Sequence, residues 1–137
     1  MKNFLKKYLF LVLLFINISC NSNSIYFDIE KQSVVACKGV ISRLSIISYN
    51  DDDCWFISLS TGKKGSKCFI INEINDDYSI KSLFGYYYFI KDFKLRPETE
   101  YEIINHSFGG ATGGKLLIRT DNNAVVNYTC KKTCKKD

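Results

Sequence analysis

Residues 109–116 read "GGATGGKL", one residue away from a phosphate-binding loop of the form G-x4-G-K-[ST]. Such a loop needs backbone N–H groups around the phosphates, a lysine reaching them and a hydroxyl for Mg²⁺. Leu116 stands where the hydroxyl should be, and "LLIRT" after Lys115 reads as a strand. The chemistry requires a helix N-terminus at that point. Nucleotide binding is excluded, and the stretch reads as a glycine-rich turn between strands. His106 is the sole histidine. A general base needs a nucleophile or a carboxylate partner, and no motif ties one to it, so it reads as a rim histidine. The acidic clusters "DDD" at 51–53 and "NDD" at 75–77 lack the spacing of a calcium loop and read as turns. No catalytic constellation emerges. The expectation is a non-enzymatic chain with no metal and no cofactor.

The cysteines say more. There are 6, and Cys20 lies at the end of the leader, which leaves Cys37, Cys54, Cys68, Cys130 and Cys134. Metal sites favour tight pairs such as C-x2-C, and the closest pair here is C-x3-C at Cys130/Cys134. An odd set in an exported domain reads as two disulfides and one leftover thiol. Cys54 and Cys68 are equidistant from Thr61, so a hairpin turning there would set them opposite each other. Cys37 is then expected to join Cys130 or Cys134.

Export is read from the first residues. Lys2, Lys6 and Lys7 precede an apolar run from Tyr8 to Ile18. At about eleven residues, the run is short of the ~20 that span a membrane and suits a secretory signal. Ser19-Cys20 followed by the polar "NSNS" resembles a bacterial lipoprotein signal. The resemblance implies that Cys20 is lipidated, becomes the mature N-terminus and holds the chain to an envelope membrane. Ordinary cleavage after "SNS", which would release a soluble secreted chain, is the alternative.

The chain behind the leader must supply the scaffold. About 115 residues are enough for one domain. The formal charge of +5 arises from the leader and from "KKTCKKD" at the end, so nothing resembles a nucleic-acid face. Ile, Tyr and Phe are abundant, and no long 3.6-residue apolar period appears. Short runs with period two recur between turn clusters: "VISRLSIISY", "CWFISLS", "KCFIINEI", "IKSLFGYYYFIKDFKL", "YEIINHSF", "KLLIRT" and "AVVNYT". That spacing predicts an all-β, antiparallel two-sheet sandwich of about seven strands. Tyr86 and Tyr88 alternate with Tyr87 on one strand and read as half-buried sheet aromatics. The expected division is a signal peptide over 1–19, a tether and N-terminal arm over 20–32, the sandwich over 33–128 and a basic tail over 129–137, with "SIYFDIEKQSVVACKG" alternating loosely and open to reading as a first strand or an irregular arm. Lys131, Lys132, Lys135 and Lys136 of that tail read as solvated, with anionic lipid or polysaccharide as the contact they could make.

The only proline sits in "FKLRPETEYEII", between two strand-like runs. Proline fixes φ and has no N–H to give, so it belongs where the chain leaves a sheet. A tyrosine just beyond can bury its ring and return its hydroxyl to the backbone. Leu95-x-Pro97-x-Thr99-x-Tyr101 resembles the L-x-P-x-T-x-Y signature of fibronectin type III domains, and Trp55 lies where the core tryptophan of that family would be. The resemblance covers about residues 40–122 and implies an immunoglobulin-like sandwich pinned by that corner. It also implies that the loop carrying Gly109, Gly110, Thr112, Gly113, Gly114 and Lys115 is a place for ligand contacts. The expected function is an exported envelope lipoprotein whose sandwich binds an unidentified protein or polysaccharide. The alternative is a small surface-anchored inhibitor or immunity protein directed at a toxin or hydrolase.

Overall fold

The computed structural model describes residues 22–83, 87–88, 93–109 and 114–134. The alternation read from the sequence becomes strands wherever one face can be buried. Along Glu100–Asn105 every second residue is buried, and along Tyr78–Ser82 Tyr78, Ile80 and Ser82 point inward. A period of two lets a strand bury one face and leave the other polar.

Among the described residues, ten strands form two antiparallel sheets. In chain order they are β1 (Ile25–Asp28), β2 (Ser33–Ala36), β3 (Arg43–Ser48), β4 (Cys54–Leu59), β5 (Cys68–Ile70), β6 (Tyr78–Ser82), β7 (Tyr87–Tyr88), β8 (Glu100–Asn105), β9 (Lys115–Thr120) and β10 (Val126–Thr129). The smaller sheet has the order β1-β2-β5 and the larger β10-β9-β8-β3-β4-β6-β7. The all-β, antiparallel two-sheet sandwich is as expected. The two sheets share one core. Ile25, Phe27, Val34 and Phe69 of the small sheet meet Ile46, Trp55, Ile57, Ile80, Ile103 and Ile118 of the large one. Each such side chain contributes about 1.5–3 kcal/mol on leaving water.

The sandwich begins earlier than expected. Ile25 and Phe27, placed by the sequence in a tether and arm, are 0% and 1% exposed and pair with Ala36 and Val34. Gln32 fastens that hairpin to the large sheet. Its side-chain amide donates to the Val126 carbonyl at 2.9 Å and accepts from the Val126 N–H at 2.8 Å. After β10 the tail crosses to the small sheet, where the Lys131 carbonyl accepts from the Phe27 N–H at 3.0 Å. A disulfide between Cys37 and Cys134 then closes the tail onto the end of β2.

The expected hairpin between β4 and β5 does not form. β4 lies between β3 and β6, while β5 pairs with β2, with Val35 opposite Cys68. Cys54 and Cys68 are therefore in different sheets, and both are free thiols, as is Cys130. The physical reason lies in the connecting segment. Ser66 bridges to Ile41, and the Tyr78 hydroxyl accepts from the Ser66 N–H at 3.0 Å and donates to the Ile41 carbonyl at 2.8 Å. These bonds carry the chain from one layer to the other before β5 begins.

Candidate functional site

The large sheet has one face in the core and the other toward solvent. Its outer face is ordered by register. Tyr128 stands opposite Arg119, and Arg119 opposite Glu100. The Tyr49 N–H bonds to the Glu100 carbonyl at 3.0 Å, which extends the row to the residue just past β3. Tyr49 is 54% and Tyr128 48% exposed. The Arg119 guanidinium lies 5.5 Å from the Tyr128 ring centroid, and its Nε donates to Glu100 Oε1 at 3.0 Å. The hydrogen bond and charge of Glu100 push the Arg119 pKa further up, so it remains a cation. The Tyr49 hydroxyl donates to Glu102 Oε2 at 3.0 Å, and that bond raises its pKa. Lys115 reaches the same carboxylate at 3.7 Å. The arrangement is a row of exposed aromatics held by charged neighbours, a composition typical of interface anchors.

A second feature lies lower on the same face. Ser45 Oγ and His106 Nε2 share a hydrogen bond of 3.0 Å at the floor of a cleft of about 350 Å³. Arg43, Phe56, Ser58 and Gly109 complete its wall. A serine bonded to histidine is one link of an acyl-transfer site. The rest of that machinery does not follow from the geometry. Ser45 is 3% exposed, and its strand is paired on both sides, so neighbouring N–H groups are committed to the ladder rather than to an oxyanion. No carboxylate among the described residues bonds the other ring nitrogen of His106. A larger hollow of about 680 Å³ lies where the tail passes the β1–β2 turn, between Asp28, Glu30 and Lys132. It mixes both charges and converges on no single group.

The base of the glycine loop is built from residues that sequence reasoning missed. Asn23 is 1% exposed. It accepts from the Phe108 N–H at 2.8 Å, donates to the Gly109 carbonyl at 3.3 Å, and its own carbonyl accepts from Asn105 Nδ2 at 3.1 Å. A Cβ on Gly114 would stand 2.5 Å from the Asn105 carbonyl oxygen and 2.8 Å from Asn23 Cβ. Gly114 is thus required by close packing. "NSNS", read as a flexible spacer, contains the plug of the loop. No local signal marks Asn23, because its partners lie more than eighty residues away.

The loop joins β8 to β9, as a hairpin, with Ile104 opposite Lys115. Gly109 is exposed with φ +63°, Lys115 is exposed, and Gly110, Thr112 and Gly113 lie outside the described residues. So do the leader with Cys20, Tyr86, Lys135 and Lys136. Leu95, Thr99, Tyr101 and Trp55 are buried, whereas Pro97 is exposed on the turn. The Tyr101 hydroxyl accepts from the Arg96 N–H at 2.8 Å. Trp55 packs against Phe93 with centroids 5.4 Å apart and against Tyr101 at 6.4 Å. Asp51 and Asp53 pair with Arg96, and Asp77 with Lys63. No group of three or more metal-ligand side chains occurs among the described residues, and no helix there is long and apolar enough to cross a membrane. The chain matches no known protein family, no curated protein and no solved structure.

Proposed function

We propose that this chain is an exported envelope lipoprotein, anchored through Cys20, whose sandwich is a non-enzymatic binding module. The observation that carries the reading is the row Tyr128–Arg119–Glu100–Tyr49 on the outer face of the large sheet. Exposed tyrosines cost little conformational entropy to immobilise, and an arginine already held by Glu100 loses little on binding. The Cys37–Cys134 disulfide supports export, because such bonds persist in oxidising compartments. The corner formed by Leu95, Pro97, Thr99 and Tyr101 supports kinship with the fibronectin type III fold.

The test is binding of the purified protein to envelope polysaccharides and to secreted hydrolases, with Tyr49→Ala and Arg119→Ala beside the parent. Retention on a polymer that either substitution weakens tenfold or more supports the proposal. A tight one-to-one complex that abolishes a hydrolase's activity turns it into the inhibitor reading. Turnover of a substrate overturns it.

A further inference from the structure

The described chain starts at the end of the sandwich that holds the glycine loop. Asn23 bonds to Asn105, Phe108 and Gly109 there. Cys20 lies only three residues earlier in the sequence. An extended chain gains at most about 3.3–3.6 Å per residue, so the backbone from Cys20 to Asn23 can span no more than roughly 10 Å. Nothing in a tether so short lets the domain choose freely which end faces the membrane.

Charge is distributed along the same axis. Register and backbone bonds place Lys38, Arg43, Lys64, Lys67 and Lys115 at the loop end, and all five are exposed. Lys38 follows Cys37, whose N–H bonds to the Ser24 carbonyl. The Lys67 carbonyl accepts from Ala36, at the β2 terminus opposite Ile25. Arg43 adjoins His106 through its carbonyl. Of the three arginines, Arg96 and Arg119 are paired with carboxylates, while Arg43 makes no ion pair among the described residues. Among the described residues the acidic groups that meet this end are Asp76, Asp77, which Lys63 holds at 3.1 Å, and Glu102, which Lys115 reaches at 3.7 Å. The opposite, corner end carries Asp51, Asp52, Asp53, Glu98 and Asp121 on exposed or half-exposed turns.

We infer that the loop end, through Lys38, Arg43, Lys64 and Lys67, lies against the anionic phospholipid headgroups of the membrane that holds the Cys20 lipid. The inference rests on the anchor proposed above. Exposed basic side chains close to an anionic surface each add attraction that decays within a Debye length, and the short tether keeps them inside it. The Cys20 lipid holds the chain to the membrane, and a basic patch beside it adds an electrostatic contribution that selects which end faces the headgroups. One orientation follows. The acidic corner end points away from the bilayer, and Tyr49, Arg119 and Tyr128, nearer to it, are left open to a ligand.

Hydrogen exchange of the full membrane-extracted protein decides this. It is reconstituted on phosphatidylcholine vesicles and on vesicles with one-third phosphatidylglycerol. Peptides covering 37–44 and 62–67 are expected to exchange at least threefold more slowly on the anionic vesicles, and those covering 50–53 and 121–125 equally on both. The slowing should vanish in 0.5 M salt and in the triple variant Arg43→Glu, Lys64→Glu, Lys67→Glu, whose exposed substitutions leave the core intact. Equal exchange of the loop end on the two vesicle types overturns the inference, as does protection at 50–53. Failure of the anchor itself looks different, because the chain then stays in the supernatant of the phosphatidylcholine vesicles. In that case, protection of the same segments on the anionic vesicles still upholds the basic contact, and its lack there refutes it.

Discussion

The Tyr101 hydroxyl accepts a hydrogen bond of 2.8 Å from the backbone N–H of Arg96, five residues upstream, while the ring is 0% exposed. That bond closes the turn at Pro97. Thr99 supports it by donating to the Pro97 carbonyl at 2.7 Å, and Thr120 Oγ1 donates to the Arg96 carbonyl at 2.6 Å. Tyr101→Phe removes one acceptor and is expected to cost about 1 kcal/mol, rising to about 3 if the Arg96 N–H is stranded from water. Tyr101→Ala opens a cavity as well and should cost about 3–5 kcal/mol. Urea melts of the two variants check the order. An alanine variant as stable as Tyr128→Ala would remove Tyr101 from the core.

Tyr78 pins the chain where it changes sheets. Its hydroxyl serves two backbone groups, the Ser66 N–H and the Ile41 carbonyl, and its ring meets Phe69 edge-on at 5.1 Å. Tyr78→Phe strands both, so it should destabilise more than Tyr101→Phe, by about 2–4 kcal/mol for two unsatisfied groups. Amide exchange around residues 62–67 should speed up before global unfolding. Equal or smaller destabilisation, with that segment unchanged, would show that the crossing is held by other contacts.

Both hydroxyls are raised in pKa, chiefly by burial, with the donating backbone N–H groups offsetting part of the shift. The sign follows from linkage. Tyrosine in the unfolded chain titrates near about 10, and a higher folded value means that the native state holds its protons more tightly. Their contribution is complete below that pH and is lost as pH rises through the folded values. Stability should therefore fall steeply on the alkaline side, with tyrosinate absorbance appearing together with loss of sheet signal. The double variant Tyr78→Phe, Tyr101→Phe starts less stable and should lose less over the same alkaline range. A double variant that loses as much as the parent would place the alkaline transition elsewhere.

The disulfide joins residues 97 apart in sequence. Closing so long a loop restricts the unfolded chain strongly, and removal of such a bond typically costs about 2–5 kcal/mol. Reduction, or Cys37→Ser, should lower the melting temperature by many degrees and free the tail from the β1–β2 hairpin. Peptide mapping without reduction should recover Cys37 linked to Cys134, with Cys54, Cys68 and Cys130 open to alkylation. A linked peptide containing Cys54 and Cys68 would contradict the separation of β4 and β5 into different sheets.

Local chemistry was enough to specify much of this molecule. Alternation over 43–48, 100–105 and 115–120 dictates strands, because only a period of two buries Ile46, Ile103 and Ile118 together. Proline at 97 with tyrosine at 101 dictates a corner, since the first refuses a ladder bond and the second can serve a nearby donor. The glycine-rich connection between β8 and β9 follows from residue types alone. Tertiary structure decided which strands became neighbours. Cys54 and Cys68 flank a turn-like segment, yet Tyr78, Ser66 and Ile41 draw β5 into the other sheet, and pairing across layers leaves no mark in a local window. The same holds for the outer-face row and for Asn23. Tyr49, Glu100, Arg119 and Tyr128 are scattered through the chain and meet only through register. Asn23 is an ordinary polar residue until the fold surrounds it with backbone groups that need its amide, because burial and partnership are properties of the packed chain.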